Sequence, residues 1–364
     1  MAEKIDTDVL VVGSGPAGSI TARYAAEKGV RVTMIEMRSE VGVPVRCGEL
    51  VPSVKEIEGM FPNLEDADSL FDTPSNLRLR DLEGIRIIDP KKKVRQFPFT
   101  GYTTDRDRFD QYLVSEAEKA GAQLIKECRF RDINDGIART SCGDIKYKVI
   151  IGADGPGSRV GRELGLPRNK NPYPAVSAQA EGDFEPVVQM FFGGIAPGAY
   201  SWIIPKKGQA NVGVGFSPKF SSGTLDSYFD KFAKMRDLNI TTKLEGKYVP
   251  SEGAVSKTFT DNGMIVGDAA GFVIPVNGGG IPLAMIGGRI CGNIAADNVK
   301  NGRTLADYES EWRKILYEPL KIAASNKRLA DTFAFGSDFR TRLCMNILGT
   351  RRMGNLIRCK HLFP

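Results

Sequence analysis

The sequence predicts an α/β (α+β) fold: a parallel sheet with flanking helices, an inserted antiparallel-sheet domain and a C-terminal helical region. Three observations predict it. Glycine-containing turns follow short apolar strands at residues 13–18, 152–155 and 267–271. Residues 173–253 contain period-two strand patterns, which are typical of antiparallel sheets, and residues from 281 onward are predicted to be helical. Because glycine turns lie on both sides of the strand-rich stretch, we expect the first domain to be discontinuous.

The first glycine turn has the sequence GSGPAG and joins an apolar strand at residues 7–12 to an alanine-rich helix at 17–28. A second strand at 31–36 completes a Rossmann-like βαβ unit, whose helix N-terminus can hold a pyrophosphate. Glu36 ends that strand, where a carboxylate accepts both ribose hydroxyls and repels a 2′-phosphate. This segment therefore predicts a dinucleotide other than NADP; the alternative is a tight turn without a ligand.

The other two turns narrow the choice of dinucleotide. Residues 149–155 form an apolar strand and an acidic turn in which Asp154 is positioned to cap the next helix. Asp268 in the third turn can bond a ribityl hydroxyl, and the glycines at 278–280 open a helix with uncovered N–H groups. That positive helix end would stabilise the negative charge of a reduced flavin. The three turns together predict FAD, the alternative for the third being a glycine loop for close packing.

The strand and helix patterns divide the chain into three predicted parts. The FAD-binding domain takes residues 1–75, 98–170 and 256–302, the antiparallel-sheet substrate domain takes 76–97 and 171–255, and the C-terminal helical region takes 303–364. Within the first part, residues 105–120 have the pattern of an amphipathic helix.

Composition is that of a globular protein, with 41% hydrophobic and 26% charged residues among 364. No apolar run reaches the roughly 18 residues of a membrane span, and the N-terminus runs directly into a strand, so we expect a cytoplasmic protein. The net charge is +6, and from residue 327 to the end eight Lys or Arg face two acids. Large apolar residues alternate with these charges. The segment predicts either an amphipathic helix peripheral to the inner face of an anionic membrane or a solvated basic face; no nucleic-acid motif accompanies it.

Cysteine and histidine usage excludes several kinds of site. The six cysteines have no CxxC spacing, so the sequence predicts neither a metal site nor a disulfide framework. The one histidine, His361, lies close to the C-terminus, which excludes histidine-based nucleophile triads. Acid–base chemistry must then use Tyr, Lys, Cys, carboxylates or water.

Taken together, GSGPAG with Glu36, the RDRFD helix that starts at Arg106, GADG and GDAAG resemble the p-hydroxybenzoate hydroxylase class of flavoproteins over about residues 5–300. Two further segments resemble the geranylgeranyl reductase family, especially archaeal enzymes that saturate the isoprenoid chains of membrane ether lipids. These are RCGE at residues 46–49 and YSWIIPK at 200–206 with the following VG. The chain departs from the family in Ile204, where an aromatic residue is usual, and in a short C-terminal region.

The resemblance implies a set of site residues. Tyr200 and Trp202 would line an apolar tunnel beside the flavin and act with Cys47 in catalysis, while Pro205 and Lys206 would also contact substrate. Cys47 is either a proton donor or a packing group against the flavin ring. The predicted FAD contacts are Gly13, Gly15, Ala17, Gly18, Glu36, Cys47, Gly48, Arg106, Asp154, Asp268, Gly280 and Ile281.

The resemblance implies an FAD-dependent reductase of isolated C=C bonds in geranylgeranyl chains, with hydride from reduced FAD and a proton from Cys47, Tyr200 or water. Two alternatives stay open: a monooxygenase or halogenase of the same fold, for which Lys206 or Lys207 could serve as the tunnel lysine, and a non-catalytic flavin-binding membrane protein. The reductant is NAD(P)H, reduced ferredoxin or reduced deazaflavin. An acidic ferredoxin would suit the basic surface.

Overall fold

A computed structural model describes residues 5–363, which form three β-sheets with helices packed between and around them. The strands in chain order are β1 (Ile5–Asp6), β2 (Val9–Val12), β3 (Val32–Ile35), β4 (Leu50–Pro52), β5 (Arg80–Ile88), β6 (Val94–Thr103), β7 (Gln123–Ile125), β8 (Phe130–Asn134), β9 (Ile137–Thr140), β10 (Gly143–Lys146), β11 (Val149–Gly152), β12 (Tyr173–Glu181), β13 (Val187–Phe191), β14 (Ser201–Lys206), β15 (Gln209–Gly215), β16 (Asn239–Ile240), β17 (Glu245–Val249) and β18 (Gly263–Ile265).

The helices in chain order are α1 (Pro16–Glu27), α2 (Val54–Met60), α3 (Ala67–Phe71), α4 (Arg106–Lys119), α5 (Arg159–Glu163), α6 (Leu225–Arg236), α7 (Ile281–Asn301), α8 (Ala306–Trp312), α9 (Glu318–Leu329) and α10 (Asp338–Ile357). Short 3₁₀ turns cover Ser75–Leu77 and Gly267–Ala270, and π-helical turns cover Arg313–Tyr317 and Ala330–Ala334. Helix α10 is kinked at Gly349, where the backbone leaves the helical region.

A five-stranded parallel sheet in the order β18-β11-β2-β3-β7 forms the centre of the first domain. Alternate residues of β2 face opposite ways, as a pleated strand requires. Val9 and Val11 pack with α1, α4 and α7, whereas Leu10 and Val12 pack with a four-stranded sheet in the order β1-β10-β9-β8. Because both faces are covered, the central strands are apolar throughout, and the predicted fold class is confirmed.

Glycines bring α1 and α7 into close contact on one face of this sheet. A Cβ atom at Gly288 would lie 2.8 Å from the Ala17 carbonyl oxygen, and one at Gly292 would lie 2.3 Å from the Thr21 oxygen. Since residue 17 faces 288 and residue 21 faces 292, the two helices run in the same direction. Both N-termini therefore lie at the carboxyl edge of the parallel sheet.

The second large sheet has nine strands, in the order β16-β12-β15-β14-β13-β5-β6-β4 with β17 beside β12. Its pairings are antiparallel except for β13 with β5. This sheet takes in residues 50–52 and 98–103, which the sequence-based division assigned to the FAD-binding domain. Long antiparallel pairing carries β6 past that boundary, while the division into three parts stays a prediction.

Two elements were missed by the sequence patterns. Residues 130–146, for which no element was predicted, form a hairpin and a third strand, and α6 lies within residues 173–253, for which strands alone were named. Helix α6 is capped reciprocally by Thr224 and Ser227, and it buries Phe229 and Phe232 against the nine-stranded sheet. Capping of this kind stabilises a helix start that apolar periodicity alone did not distinguish.

The expectation of no disulfide framework is wrong for one pair of cysteines. Cys128 and Cys142 are bonded, and their Cα atoms are 5.3 Å apart. Cys128 precedes β8 and Cys142 joins β9 to β10, so antiparallel pairing of β8 with β9 brings the two residues together. Spacing of 14 residues carries no signal for this pairing, because the hairpin and not the sequence interval sets the distance.

Candidate active site

A cavity of about 1130 Å³ lies between the carboxyl edge of the parallel sheet and the nine-stranded sheet. Its wall includes all three glycine turns, residues 46–50, parts of β12, β13, β14 and β17, and residues of α9 and α10. Binding sites in α/β proteins form at this edge, outside the carboxyl ends of the strands. The structure thus brings to one cavity segments that are more than 300 residues apart in the chain.

The first glycine turn fits a pyrophosphate. Gly13 has φ +100°, and a Cβ there would meet the Ala153 carbonyl oxygen at 2.5 Å, while a Cβ at Gly18 would strike the Gly13 oxygen. Gly15 differs, since a Cβ there would meet no protein atom within 4 Å and the residue lines the cavity. Helix α1 starts from Gly15 without a side-chain cap. Its first N–H groups are therefore free for an anion that approaches Gly15.

Glu36 lies at the cavity wall directly after β3, as the sequence predicts. One carboxylate oxygen accepts bonds from the Ser14 N–H (3.2 Å) and hydroxyl (2.9 Å), and the other accepts from the Arg38 N–H (3.1 Å). These donors fix the carboxylate beside the first turn. It is placed for the predicted contact with a ribose.

The glycines at 278–280, which follow the third turn, supply a second uncapped helix end. Helix α7 begins after Gly280 without a side-chain cap, and Gly280 and Ile281 line the cavity. Asp268 also lines it and forms a 2.6 Å ion pair with Lys247 of β17. Lys247 is a cavity residue that sequence reasoning missed, because a lysine in a short edge strand belongs to no motif. These groups fit a flavin with its ribityl chain.

Asp154 of the second turn has the structural role that the sequence predicts. Its carboxylate accepts bonds from the Ser158 hydroxyl (2.6 Å) and from the N–H groups of Arg159 (2.7 Å) and Val160 (3.1 Å), which cap α5. Asp154 also lines the cavity. Both of its carboxylate oxygens already have partners within the protein, and its contact with FAD stays a prediction.

Arg106 starts helix α4 and forms a forked pair with Asp110, at 3.0 and 2.9 Å. Burial opposes the charge on Arg106, but the Asp110 carboxylate and Cys47 outweigh it and raise the pKa of the guanidinium. Burial also raises the pKa of Asp110, against the opposing effect of Arg106. Both side chains line the cavity, so Arg106 presents a permanent positive charge to a bound cofactor.

The RCGE segment forms a loop on the cavity wall. Cys47 is half-buried, and its sulfur accepts a bond from the Glu49 N–H at 3.2 Å. The Glu49 side chain is buried beneath it and pairs with Lys206 at 3.1 Å. Glu49 was part of the motif but was not predicted as a site residue; its backbone has a positive φ of 62°.

Two predicted substrate contacts are not at the cavity. Lys206 is 2% exposed, and its ammonium lies between Glu49 and Asp105, 2.5 Å from the latter. Pro205 and Lys206 are absent from the cavity wall, to which β14 contributes Trp202 and Ile204. Successive strand side chains alternate between faces, so Pro205 points away, and the two carboxylates hold Lys206 inside the protein.

Tyr200 and Trp202 do lie side by side on the cavity wall, with ring centroids 5.9 Å apart. The Tyr200 hydroxyl donates to the Asn277 carbonyl oxygen in the glycine loop before α7. Burial raises the pKa of Tyr200 well above its ordinary value. The phenol therefore stays neutral, and its proton is held by the Asn277 carbonyl oxygen in the glycine loop before α7.

The glycine that follows the YSWIIPK segment has a direct steric role. Trp202 pairs across the sheet with Gly213, where a Cβ would lie 2.2 Å from the indole Cζ2 and 2.5 Å from the Val176 oxygen. The indole lies on bare backbone, which explains the spacing between tryptophan and glycine in the motif.

Replacing Gly213 by alanine is expected to displace the indole and to lower the free energy of unfolding by about 1–3 kcal/mol, the usual cost of overpacking. Denaturant unfolding measures the cost, and Trp202 emission reports the displacement. The control is Gly246→Ala on β17, where the nearest atom would be 3.8 Å from the new Cβ. Equal stability of the two variants would contradict the steric role.

Comparisons with known proteins agree with this geometry. A family model described as geranylgeranyl reductase catalytic domain matches residues 174–248, and an FAD-binding domain model matches residues 6–53. Digeranylgeranylglycerophospholipid reductase of Methanocaldococcus jannaschii is 35% identical over 340 residues, covering 86% of this chain and 84% of that protein. The Methanosarcina acetivorans protein of the same name is 36% identical, covering 84% and 80%.

Solved structures show the same fold. A geranylgeranyl bacteriochlorophyll reductase-like protein from Thermoplasma acidophilum superposes with a TM-score of 0.80 at 28% identity, covering 90% of this chain and 88% of its own. The flavin-dependent brominase Bmp2 has a TM-score of 0.72 at 19% identity, with 97% and 93% covered. At that identity the brominase shares the fold alone.

Proposed function

The chain belongs to the geranylgeranyl reductase family of FAD-dependent flavoproteins, and from this premise we propose that it saturates isolated C=C bonds in the geranylgeranyl chains of membrane ether lipids or their precursors. One observation carries the proposal: the cavity that holds the cofactor fingerprints continues into a wall of aromatic and aliphatic side chains. Tyr200, Trp202 and Ile204 belong to that wall. A long apolar chain fits such a surface better than a polar substrate does.

When bound, FAD supplies the hydride, and the residues of this chain supply orientation, dryness and a proton. An isolated alkene is not polarised by a neighbouring carbonyl, so one carbon must receive a proton as the other receives hydride. Tyr200 is a poor donor, because burial raises its pKa and its hydroxyl bonds the Asn277 oxygen. Cys47 lines the same cavity and has a free thiol, and it is our choice of proton donor over Tyr200 or water.

The structure also bears on the first alternative, a halogenase or monooxygenase. A halogenase needs a lysine placed beside the substrate tunnel. Lys206 is enclosed by Glu49 and Asp105, and the exposed Lys207 does not line the cavity. The two lysines that do line it, Lys247 and Lys327, are held in ion pairs with Asp268 and Asp331. We therefore favour reduction over halogenation.

An anaerobic reoxidation experiment separates alkene reduction from both alternatives. Reduced holoenzyme is mixed with a digeranylgeranyl lipid in detergent without dioxygen, and flavin absorbance is followed. Reoxidation that depends on the unsaturated lipid, and fails with its saturated counterpart, is the expected result. A monooxygenase or halogenase would be reoxidised by dioxygen alone, and a non-catalytic binding protein would give no lipid-dependent reoxidation.

The electron donor is proposed to bind transiently, because the FAD fingerprint takes the glycine turn after β2. NAD(P)H, reduced ferredoxin and reduced deazaflavin are the candidates, and ferredoxin, an acidic protein, matches the net charge of +6. Stopped-flow reduction of the flavin by each donor decides among them. A rate with ferredoxin that falls steeply with salt would support the choice.

Peripheral contact with an anionic membrane is the second part of the proposal. Helix α10 exposes an apolar stripe, which consists of Phe339 (66% exposed), Leu343 (47%) and Ile347 (59%). Spacing of four residues places the three side chains on one face of the helix. Arg340 and Arg342 flank this stripe, as they would flank an interfacial helix at an anionic surface.

The same region adjoins the cavity. Phe333 is exposed beside the stripe, whereas its neighbours Ala330 and Phe335 line the cavity. Two basic residues of the C-terminal region are not available to a membrane surface. Lys327 is buried against Tyr173 and Asp331, and Arg358 pairs with Glu56. No helix within residues 5–363 is long and apolar enough to cross a bilayer. Because Phe333 lies beside the stripe while Ala330 and Phe335 line the cavity, we propose that a lipid chain passes from a membrane surface at the stripe into the cavity.

Replacing the stripe by serine (Phe339, Leu343 and Ile347 together) is expected to weaken binding to phosphatidylglycerol vesicles at least about tenfold, since each apolar side chain contributes on the order of 1 kcal/mol. Turnover of detergent-dispersed lipid should not change, because the stripe does not line the cavity. Co-sedimentation measures binding, with Met235→Ser (48% exposed on α6) as control. Unchanged vesicle binding by the serine variant would refute membrane contact. A molecular mass in solution that is half that of the wild type would assign the stripe to a dimer interface.

A further inference from the structure

Asn211 of β15 is 1% exposed and joins two parts of the cavity wall. Its carboxamide oxygen accepts a bond from the Trp202 indole N–H at 2.8 Å. Its carboxamide nitrogen donates to the Cys47 carbonyl oxygen at 2.9 Å and to Glu49 Oε2 at 3.0 Å. An indole nitrogen only donates and a carbonyl oxygen only accepts, so the orientation of the amide follows from its partners.

The carboxylate of Glu49 makes this junction rigid. Besides Asn211, it accepts bonds from the Lys206 ammonium at 3.1 and 3.2 Å, the Gln179 amide at 2.7 Å and the Arg106 N–H at 3.2 Å. Both Glu49 and Lys206 are almost fully buried. A buried charge with this many donors cannot move without loss of several bonds, so Glu49 anchors whatever is bonded to it.

Asn211 does not itself line the cavity, whereas Cys47 and Trp202 both do. The two residues come from segments about 155 positions apart, and the described contacts join them through this one amide. We propose that Asn211 is a positioning residue that holds the Trp202 indole and the Cys47 loop at a fixed separation across the reaction cavity. This deepens the proposed function, on which only its kinetic consequence rests.

The arrangement has a chemical purpose in an alkene reductase. A flexible isoprenoid chain offers no polar group near the double bond for orientation, so the wall must present the proton donor at one place. Trp202 packs against the chain, and Cys47 carries the proton. Because Asn211 bonds both the Trp202 indole and the Cys47 backbone, the isoprenoid chain that packs on Trp202 and the Cys47 thiol are held in a fixed relative position.

The test uses Asn211→Leu, which keeps the approximate volume and removes all three bonds, and Asn211→Asp. The aspartate keeps the acceptor for Trp202 and replaces the donors by an oxygen that Glu49 Oε2 and the Cys47 carbonyl oxygen repel. The control is Asn298→Leu on α7, away from the cavity, which removes a side-chain bond to the Arg303 carbonyl oxygen. Two measurements need no substrate. They are the emission of Trp202, resolved by subtracting the spectrum of Trp202→Phe, and the alkylation rate of Cys47 by iodoacetamide, located by mass spectrometry.

In Asn211→Leu the Trp202 emission should shift and Cys47 alkylation should change at least about tenfold, the effect that loss of one buried hydrogen bond typically has. In Asn211→Asp the emission should stay near that of the wild type while the alkylation rate still changes. Asn298→Leu should alter neither quantity. Folded Asn211 variants with unchanged emission and unchanged alkylation would overturn the proposal; if the leucine variant fails to fold, the aspartate variant decides.

The kinetic measurement adds the functional consequence. The kcat/KM for a digeranylgeranyl lipid should fall at least about tenfold in Asn211→Leu with unchanged FAD affinity, and less on a Trp202→Phe background, because residues that act through each other are not additive. Full additivity would show that Asn211 does not act through Trp202. Changes in emission and alkylation without any lipid turnover in the wild type would refute the proposed function while supporting the positioning role.

Discussion

Substitution of Gly15 by valine is expected to weaken FAD binding at least about 100-fold, or by roughly 3 kcal/mol, and to leave the apoprotein folded. A side chain at Gly15 meets no protein atom within 4 Å and enters the cavity, where the pyrophosphate would approach the start of α1. The backbone at Gly15 has negative φ (−71°), so valine introduces no left-handed strain. The site loses its ligand because the ligand and the new side chain need the same space.

Two further substitutions serve as comparisons for Gly15→Val. Gly59→Val on α2 also adds a side chain that meets nothing within 4 Å, but it lies away from the cavity and should leave FAD binding unchanged. Gly18→Val places its Cβ against the Gly13 oxygen and should destabilise the domain itself. Calorimetric titration of apoprotein with FAD, together with thermal unfolding, distinguishes the three. Normal FAD affinity in Gly15→Val would place the pyrophosphate elsewhere.

Substitution of Cys47 by alanine is expected to lower kcat for alkene reduction by about 100- to 10,000-fold, the usual contribution of a positioned general acid. FAD binding should persist, since the Cys47 carbonyl that bonds Asn211 belongs to the backbone and is kept. The matched control is Cys344→Ala, a second half-buried free thiol outside the cavity wall. Single-turnover oxidation of the reduced flavin by lipid measures the chemical step.

A Cys47→Ala enzyme that keeps more than about half of its rate would show that the thiol is not the proton donor. Tyr200→Phe then separates the remaining donors: a large loss would assign the proton to Tyr200, and little loss would assign it to water. Removal of the Tyr200 hydroxyl also frees the Asn277 oxygen, so FAD affinity must be measured with the rate.

Cofactor geometry could be predicted from the sequence because it depends on local backbone. Gly13, Gly15 and Gly18 act within one strand–turn–helix unit, and Glu36 ends the very next strand. Strands of the parallel sheet were predicted for the same reason, as buried strands are apolar along their whole length. The FAD-binding half of the site therefore followed from short segments read in order.

The substrate side could not be predicted to the same depth, because its contacts cross the nine-stranded sheet. Lys206 was expected on the cavity as part of a motif, yet two distant carboxylates hold it inside. Asn211 and Lys247 belong to no motif, and their roles depend on residues 9 and 21 positions away or more. Local sequence patterns do not predict which strands pair at this range, and the Cys128–Cys142 bond was missed for the same reason.

The mass of the lipid product shows whether this chain adds hydrogen to isoprenoid double bonds. Lipids from an expression host that makes digeranylgeranyl ether lipids are compared by mass spectrometry with and without the protein, under anaerobic growth. We expect an increase of two mass units for each double bond reduced, and no increase with Cys47→Ala. Unchanged lipid masses with FAD-loaded protein and a competent reductant, or products that gain oxygen or halogen, would contradict it.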